Sequence, residues 1–212
     1  MSRDKDLAII VADDVELTRI MIQSSLNAYN YHDIRLAKNA IEVMEMLKER
    51  SADVVLADWI MPGIDGLELT RYIRQMDEEN HHYTSVIMIT SKEGTDFLVE
   101  AFDQGVDDYL QKPVDDQELA ARVHSAGRVS NLQTTLLETR QALEESNEEL
   151  KELATTDPLT GLGNRRYIDQ HLQTIITTTE TRGGTTACLL VDLDHFKNIN
   201  DTHGHNIGDE VL

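Results

Sequence analysis

Asp13 and Asp14 follow the apolar run Leu7-Ala8-Ile9-Ile10-Val11, and Asp58 follows Val54-Val55-Leu56-Ala57. Thr90 closes Val86-Ile87-Met88-Ile89, and Lys112, ahead of Pro113, comes just after Tyr109-Leu110. Each side chain able to do chemistry thus sits at the end of a short apolar run. Three carboxylates brought together repel unless a hard cation joins them, and Mg²⁺ with oxygen ligands suits that purpose. A lysine can place a point positive charge on a phosphoryl oxygen, and a threonine hydroxyl can donate to another. An aspartate nucleophile, a divalent cation, a lysine and a hydroxyl suffice to form an acyl phosphate by in-line transfer. The plainer reading makes these acids helix caps or surface charges.

What must position them is a repeating pattern. Leu7 to Val11, Ile34 to Leu36, Val54 to Ala57, Val86 to Ile89 and Tyr109-Leu110 read as strands. The first, third and fourth are almost wholly apolar, as expected of strands covered on both faces. Amphipathic patterns at Val15 to Tyr29, Ala40 to Glu49, Leu67 to Met76, Thr95 to Gln104 and Asp115 onward read as helices. Strand alternating with helix predicts an α/β fold, a parallel sheet with right-handed crossovers whose ligands bind at the carboxyl ends of the strands. With the first and third strands adjacent, Asp13, Asp14 and Asp58 converge at one edge.

The set Asp13-Asp14, Asp58 with Met61-Pro62-Gly63-Ile64-Asp65-Gly66, Thr90-Ser91 and Lys112-Pro113 resembles the response-regulator receiver family of two-component systems over residues 5–125. The resemblance implies a (βα)5 flavodoxin-like sheet and a histidine kinase or phosphotransfer protein as phosphodonor. It implies Asp58 as phosphoacceptor and Mg²⁺ held by Asp14, Asp58 and the Ile60 carbonyl, with Asp13 acting largely through water. It also implies Thr90 and Lys112 as phosphoryl-binding groups, a cis bond before Pro113 and Tyr109 as a switch aromatic; ordinary strand packing is the other reading of Tyr109. One departure stands out. Ile60, two residues past Asp58, occupies a place where the family often carries a polar or flexible side chain, and Trp59 lies beside it. Bulky apolar groups over an acyl phosphate would restrict the attacking water and lengthen the life of the phosphorylated state.

Beyond residue 125 the pattern changes. Val129, Leu136, Leu143 and Leu150 repeat every seven residues, with Leu132 and Leu153 at the accompanying d positions and Thr139 and Ser146 as polar exceptions. This predicts a parallel coiled coil over 126–155, continuous with the preceding helix and mediating a homodimer. A lone amphipathic helix packed on its own domain is the alternative. Residues 156–212 offer a turn at Asp157-Pro158-Leu159-Thr160-Gly161, a helix from about Arg165 to Thr177, a strand from Ala187 to Val191 and a helix from Ile207. One strand cannot close a sheet or bury an adequate core, so the segment is expected to be the front of a larger domain.

Asp157-Pro158-Leu159-Thr160-Gly161-Leu162 with Asn164-Arg165-Arg166, Val191 to Asp201, and Gly204 to Leu212 resemble diguanylate cyclase (GGDEF) domains. That resemblance implies Mg²⁺ at Asp192 and the Leu193 carbonyl, Lys197 on phosphate, and Asn200 and Asp209 on the guanine edge of GTP. The GGDEF hairpin itself is absent from this sequence, so the chain as given is expected not to be a competent cyclase. The domains are therefore expected at 1–125, 126–155 and 156–212.

A net charge of -20 argues against nucleic-acid binding, since phosphates would repel the chain. No apolar run approaches the roughly 20 residues of a membrane span, and the charged start Met1-Ser2-Arg3-Asp4-Lys5-Asp6 lacks a signal-peptide core. The single cysteine, Cys188, lies in an apolar run and reads as a buried strand residue, which fits a reducing, cytoplasmic compartment. The expected function is a phosphorylation-regulated response regulator whose full-length form converts two GTP to cyclic di-GMP. A non-enzymatic receiver with a coiled-coil arm and a degenerate tail is the alternative, and a Mg²⁺-dependent phosphohydrolase using Asp58 fits the residue set less well.

Overall fold

The computed structural model describes residues 7–91 and 96–212; the expected helix start at Thr95 and the charged segment Met1 to Asp6 lie outside the described residues. Contacts divide the chain into two compact units, residues 1–140 and 141–212.

In the first unit, strands β1 (Ile9–Ala12), β2 (Ile34–Ala37), β3 (Val54–Asp58), β4 (Ser85–Thr90) and β5 (Asp108–Gln111) alternate with helices α1 (Glu16–Ala28), α2 (Ala40–Glu49), α3 (Gly66–Asn80), α4 (Asp96–Asp103) and α5 (Asp116–Thr155). The sheet is parallel throughout, in the order β2-β1-β3-β4-β5. Alternate residues of each strand feed opposite faces. Ile10, Val55, Ala57, Val86 and Met88 pack against Val43 and Leu47 of α2 and Leu69 and Ile73 of α3. Ile9, Val11, Val54, Leu56, Ile87 and Ile89 pack against Ile22 and Leu26 of α1 and Leu119 and Val123 of α5. Coverage of both faces explains why β1, β3 and β4 are fully buried and nearly all apolar in sequence.

Local chemistry sets the helix starts. Asn39 caps α2 by accepting from the Glu42 amide at 3.0 Å. Asp65 and Glu68 form a reciprocal capping box at the start of α3. Gly66 is required there by packing, because a Cβ would lie 2.6 Å from both the Asp58 carbonyl oxygen and the Met88 sulfur. Helix α5 runs on for 40 residues, as the absence of proline between Pro113 and Pro158 and of glycine between Gly127 and Gly161 allows. Its first part is buried at Leu119, Val123, Ala126, Gly127 and Ser130. The heptad positions stand in solvent, Leu136 and Leu143 among them.

The second unit contains the end of α5, then α6 (Arg165–Arg182), α7 (Phe196–His203) and α8 (His205–Val211). A tight corner joins α5 to α6. The Asp157 carboxylate accepts from the Thr160 amide and hydroxyl, both at 3.0 Å, which holds its carboxyl below the ordinary value. Asn164 caps α6 through the Tyr167 amide and donates to the Ala154 carbonyl at 2.9 Å. Two expectations are corrected here. Ala187 to Val191 is not a strand, and Leu189 and Leu190 are 87% and 96% exposed. Cys188 is exposed rather than buried. A strand exists only through hydrogen bonds to a neighbour, and among the described residues none lies beside this run. Helix α7 follows two residues after Asp194.

Candidate phosphoacceptor site

Parallel pairing brings the functional residues of the first unit to one sheet edge. Ala12 stands opposite Ala57, so Asp13 and Asp58 leave adjacent strand ends together. Thr90 ends β4, and Lys112 follows β5, its amide bonded to the Thr90 carbonyl at 2.8 Å. The Lys112–Pro113 peptide is cis, as the resemblance implies.

Asp13 is 1% exposed, with one carboxylate oxygen accepting from the Val15 amide at 2.8 Å. Its other oxygen accepts from Lys112 Nζ at 2.8 Å, and the same Nζ donates to Asp58 Oδ2 at 2.7 Å. Asp58 Oδ1 accepts from the Ile60 amide at 3.3 Å. Burial pushes the Asp58 carboxyl above its ordinary value despite the Lys112 contact. For Lys112, burial pulls the ammonium down, but the hydrogen bonds to Asp13 and Asp58 outweigh it, so its value is raised. The lysine therefore stays charged across the neutral range.

Asp14 is exposed, and one oxygen from each of Asp13, Asp14 and Asp58 lies within 4.8 Å of the others. Three hard oxygen donors around one point, one of them open to solvent, suit a small divalent cation with part of its water shell. Thr90 is buried at the same edge. Tyr109 is partly buried and meets Phe102 edge to face, ring centroids 6.5 Å apart.

The two apolar neighbours of Asp58 part company. Ile60 is 62% exposed, on the open side of the site. Trp59, expected beside it over the acceptor, is instead 5% exposed within the core that includes Leu69 and Met88. The alternation of side chains just past β3 turns it inward, so it does not screen Asp58. Sequence reasoning missed Arg19, whose guanidinium donates to the Asp13 main-chain carbonyl at 2.5 Å and ties α1 to the site. No sequence signal could have found it, because a main-chain acceptor has no residue identity.

In the second unit the predicted nucleotide residues are only partly brought together. Asp192 and Leu193 lie in exposed irregular chain, Lys197 and Asn200 on α7, and Asp209 on α8. Asn200 Oδ1 is buried without a hydrogen-bond partner, and a Cβ at Gly208 would lie 1.8 Å from it. Only glycine at 208 lets this amide sit against α8, one residue from Asp209.

Comparison with known proteins agrees with this geometry. The family model for the response regulator receiver domain matches residues 9–124, and that for the diguanylate cyclase GGDEF domain matches residues 154–212. The chain is 38% identical over 160 residues to the response regulator PleD of Caulobacter vibrioides, a match covering 76% of this chain and 33% of that protein. It is 33% identical over 110 residues to the chemotaxis protein CheY-3 of Vibrio cholerae, covering 52% of this chain and 83% of that one. A solved receiver domain, Francisella response regulator 1452, superposes with a TM-score of 0.52 at 28% identity, over 58% of this chain and 98% of that one. The chain spans about a third of the length of PleD. With the acidic edge, the cis Lys112–Pro113 bond and the β2-β1-β3-β4-β5 sheet all in place, the chain belongs to the response regulator receiver family and continues through a helical linker into a GGDEF region.

Proposed function

We propose that residues 1–125 form a receiver in which Asp58 accepts a phosphoryl group from a histidine kinase or phosphotransfer protein. The observation that carries this reading is Lys112 Nζ held between Asp13 and Asp58 at 2.8 and 2.7 Å. That geometry leaves Asp58 oriented and charge-compensated at an edge open to a donor. An Asp58 oxygen attacks the phosphorus, the P–N bond of the donor phosphohistidine breaks, and the departing imidazole nitrogen takes up a proton. Lys112 and the Thr90 hydroxyl then bind the new phosphoryl oxygens. The residues able to hold Mg²⁺ are Asp14, Asp58 and the Ile60 carbonyl, with Asp13 through water; the ion would offset charge on the transferred group.

In this reading residues 126–155 pair two copies, and 156–212 begin the cyclase output. In the full-length protein, which we place in the cytoplasm, two such outputs would each hold one GTP and together form cyclic di-GMP, each 3′-hydroxyl attacking the α-phosphorus of the other GTP and releasing pyrophosphate. Asp192 and the Leu193 carbonyl would take the metal, Lys197 a phosphate, and Asn200 with Asp209 the guanine edge. The test is Asp58→Asn with a small phosphodonor and Mg²⁺. Labelling should vanish, because an amide is not a usable nucleophile; labelling equal to the parent would remove Asp58 as acceptor. A sequence after Leu212 lacking the GGDEF acids would remove the cyclase and leave a receiver with a dimerisation arm.

A further inference from the structure

The helix leaving the receiver is gripped at the sheet edge opposite Asp58. Ser85, the first residue of β4, donates from its hydroxyl to the Ala126 carbonyl at 3.0 Å. Ser130, fully buried on α5, donates to the Tyr83 carbonyl at 2.6 Å. The Tyr83 amide donates to Thr134 Oγ1 at 3.1 Å, and that hydroxyl lies 3.4 Å from His82 Nδ1. His82 Nε2 lies 2.9 Å from the Ala52 carbonyl, which makes Nε2 the donor and leaves Nδ1 to accept from Thr134. The bonds thus run in one direction, from the Tyr83 amide through Thr134 and His82 to the strand-entry loop. At Gly127 the helix backbone comes so close to Leu7 that a Cβ would lie 2.2 Å from its methyl carbon.

The corner that does the gripping is itself braced. The Arg74 guanidinium donates to the Thr84 carbonyl at 2.7 Å, to Asp107 at 2.7 Å and to the Gly105 carbonyl at 2.8 Å, and it lies 4.7 Å above the Tyr83 ring. The Tyr83 hydroxyl donates to Asp107, which also accepts from the Val86 amide. Asp77 accepts from the Thr84 amide and hydroxyl at 2.8 and 2.9 Å.

Successive residues advance about 100° around a helix. On that wheel the gripped stripe Leu119, Val123, Ala126, Ser130 and Thr134 lies roughly 130° from Val129, Leu132 and Leu136, the exposed start of the heptad seam. Over residues 129–136 the same turns of helix carry both faces. We infer that the Ser85–Ala126, Ser130–Tyr83 and Thr134–Tyr83 clamp fixes the direction in which the seam faces relative to the receiver, so that reorientation of the receivers is delivered to the coiled coil as a rigid rotation of the helix. The partner is a second copy of this chain. This rests on the proposed phosphorylation-controlled pairing. Helix before Thr134 cannot turn without breaking the clamp.

The test uses the full chain with Cys188→Ser and Leu143→Cys, following disulfide formation between seam positions with and without a small phosphodonor. Clamp variants are Ser130→Ala with Thr134→Val and, more mildly, Thr134→Val alone. Thr135→Val, which removes an exposed hydroxyl bonded only to the Asn131 carbonyl, is the control. In the clamp variants the Tyr83 amide should exchange roughly tenfold faster, as expected for loss of a net hydrogen bond. Asp58 labelling should be retained, and cross-linking should lose its response to phosphodonor. The control should behave as the parent. A clamp variant whose cross-linking responds like the parent overturns the inference and leaves the proposed function standing. A parent whose cross-linking ignores the phosphodonor overturns the phosphorylation-controlled pairing itself, and the coupling with it.

Discussion

Replacing Lys112 with Met isolates the charge at the centre of the acceptor site while keeping most of the side-chain volume. The ammonium makes two charge-assisted hydrogen bonds, at 2.8 Å to Asp13 and 2.7 Å to Asp58. Such bonds contribute roughly 1.5–3 kcal/mol each. The Lys112 side chain is 26% exposed, which screens part of this, while the Asp13 side chain at 1% exposure has little access to water. Proton uptake sets a ceiling. A carboxyl with an unfolded pKa near 3.9 can be neutralised at pH 7 for about 4 kcal/mol, which bounds the loss at each of the two acids. We expect the variant to be less stable by about 3 kcal/mol at neutral pH.

The pH dependence follows in sign. Without Lys112 the Asp58 carboxyl, already raised by burial, rises further. An acid with a raised folded value has its full stability below the unfolded pKa of about 3.9 and loses it as pH rises through the folded value. The gap between parent and variant is therefore small near pH 4 and opens toward neutrality. Lys112 is raised in the parent, so its contribution is present below about pH 10.4 and lost as pH rises through its folded value, where the gap closes again. Excess Mg²⁺ should stabilise the variant more than the parent, because the ammonium no longer competes for the same oxygens; about 2.7 kcal/mol corresponds to 100 times Kd. Urea unfolding followed by the fluorescence of Trp59, the single tryptophan and a core residue, reads this unit alone. Equal stability at neutral pH, or a gap that does not change with pH, would show that Lys112 contributes only its apolar stem.

Three further outcomes are expected. Ile60→Asn should speed decay of the phosphorylated protein by about tenfold, or roughly 1.4 kcal/mol of barrier, because a polar side chain at this exposed position can orient water; equal or slower decay rejects a gating role. Leu136→Glu combined with Leu143→Glu should weaken self-association and leave Asp58 labelling intact, since charges on a paired seam must be desolvated; an unchanged mass by light scattering would reject the coiled coil. Burial, together with the hydrogen bond to Asp107, pushes the Tyr83 hydroxyl up to about 12. Spectrophotometric titration should therefore show one late phenolate step that Tyr83→Phe removes, and a late step surviving in the variant would assign it to another tyrosine.

The sequence by itself determined the order of the receiver. Apolar runs covered on both faces can only be central parallel strands, and an acid, a hydroxyl or a lysine placed one residue past such a run has to emerge at the carboxyl edge. Asp13, Asp58 and Thr90 were legible for that reason, and Lys112 from its place after the fifth run; the long helix through residue 155 was legible from heptads and helix formers, which are local properties. What depended on partners was not legible. Trp59 turns into the core and Ile60 out of it, a choice of face that composition does not encode, since both are bulky apolar residues. Ala187 to Val191 carries a strand's composition yet forms none, since a strand needs a neighbour to bond. The grip on α5 was likewise invisible. Ser85, Ser130 and Thr134 bond mainly to main-chain groups of residues some 40 to 50 positions away, and a main-chain group looks the same in every residue. Side-chain periodicity is written in the sequence; the meeting of a hydroxyl with a distant backbone exists only once the sheet has brought them together.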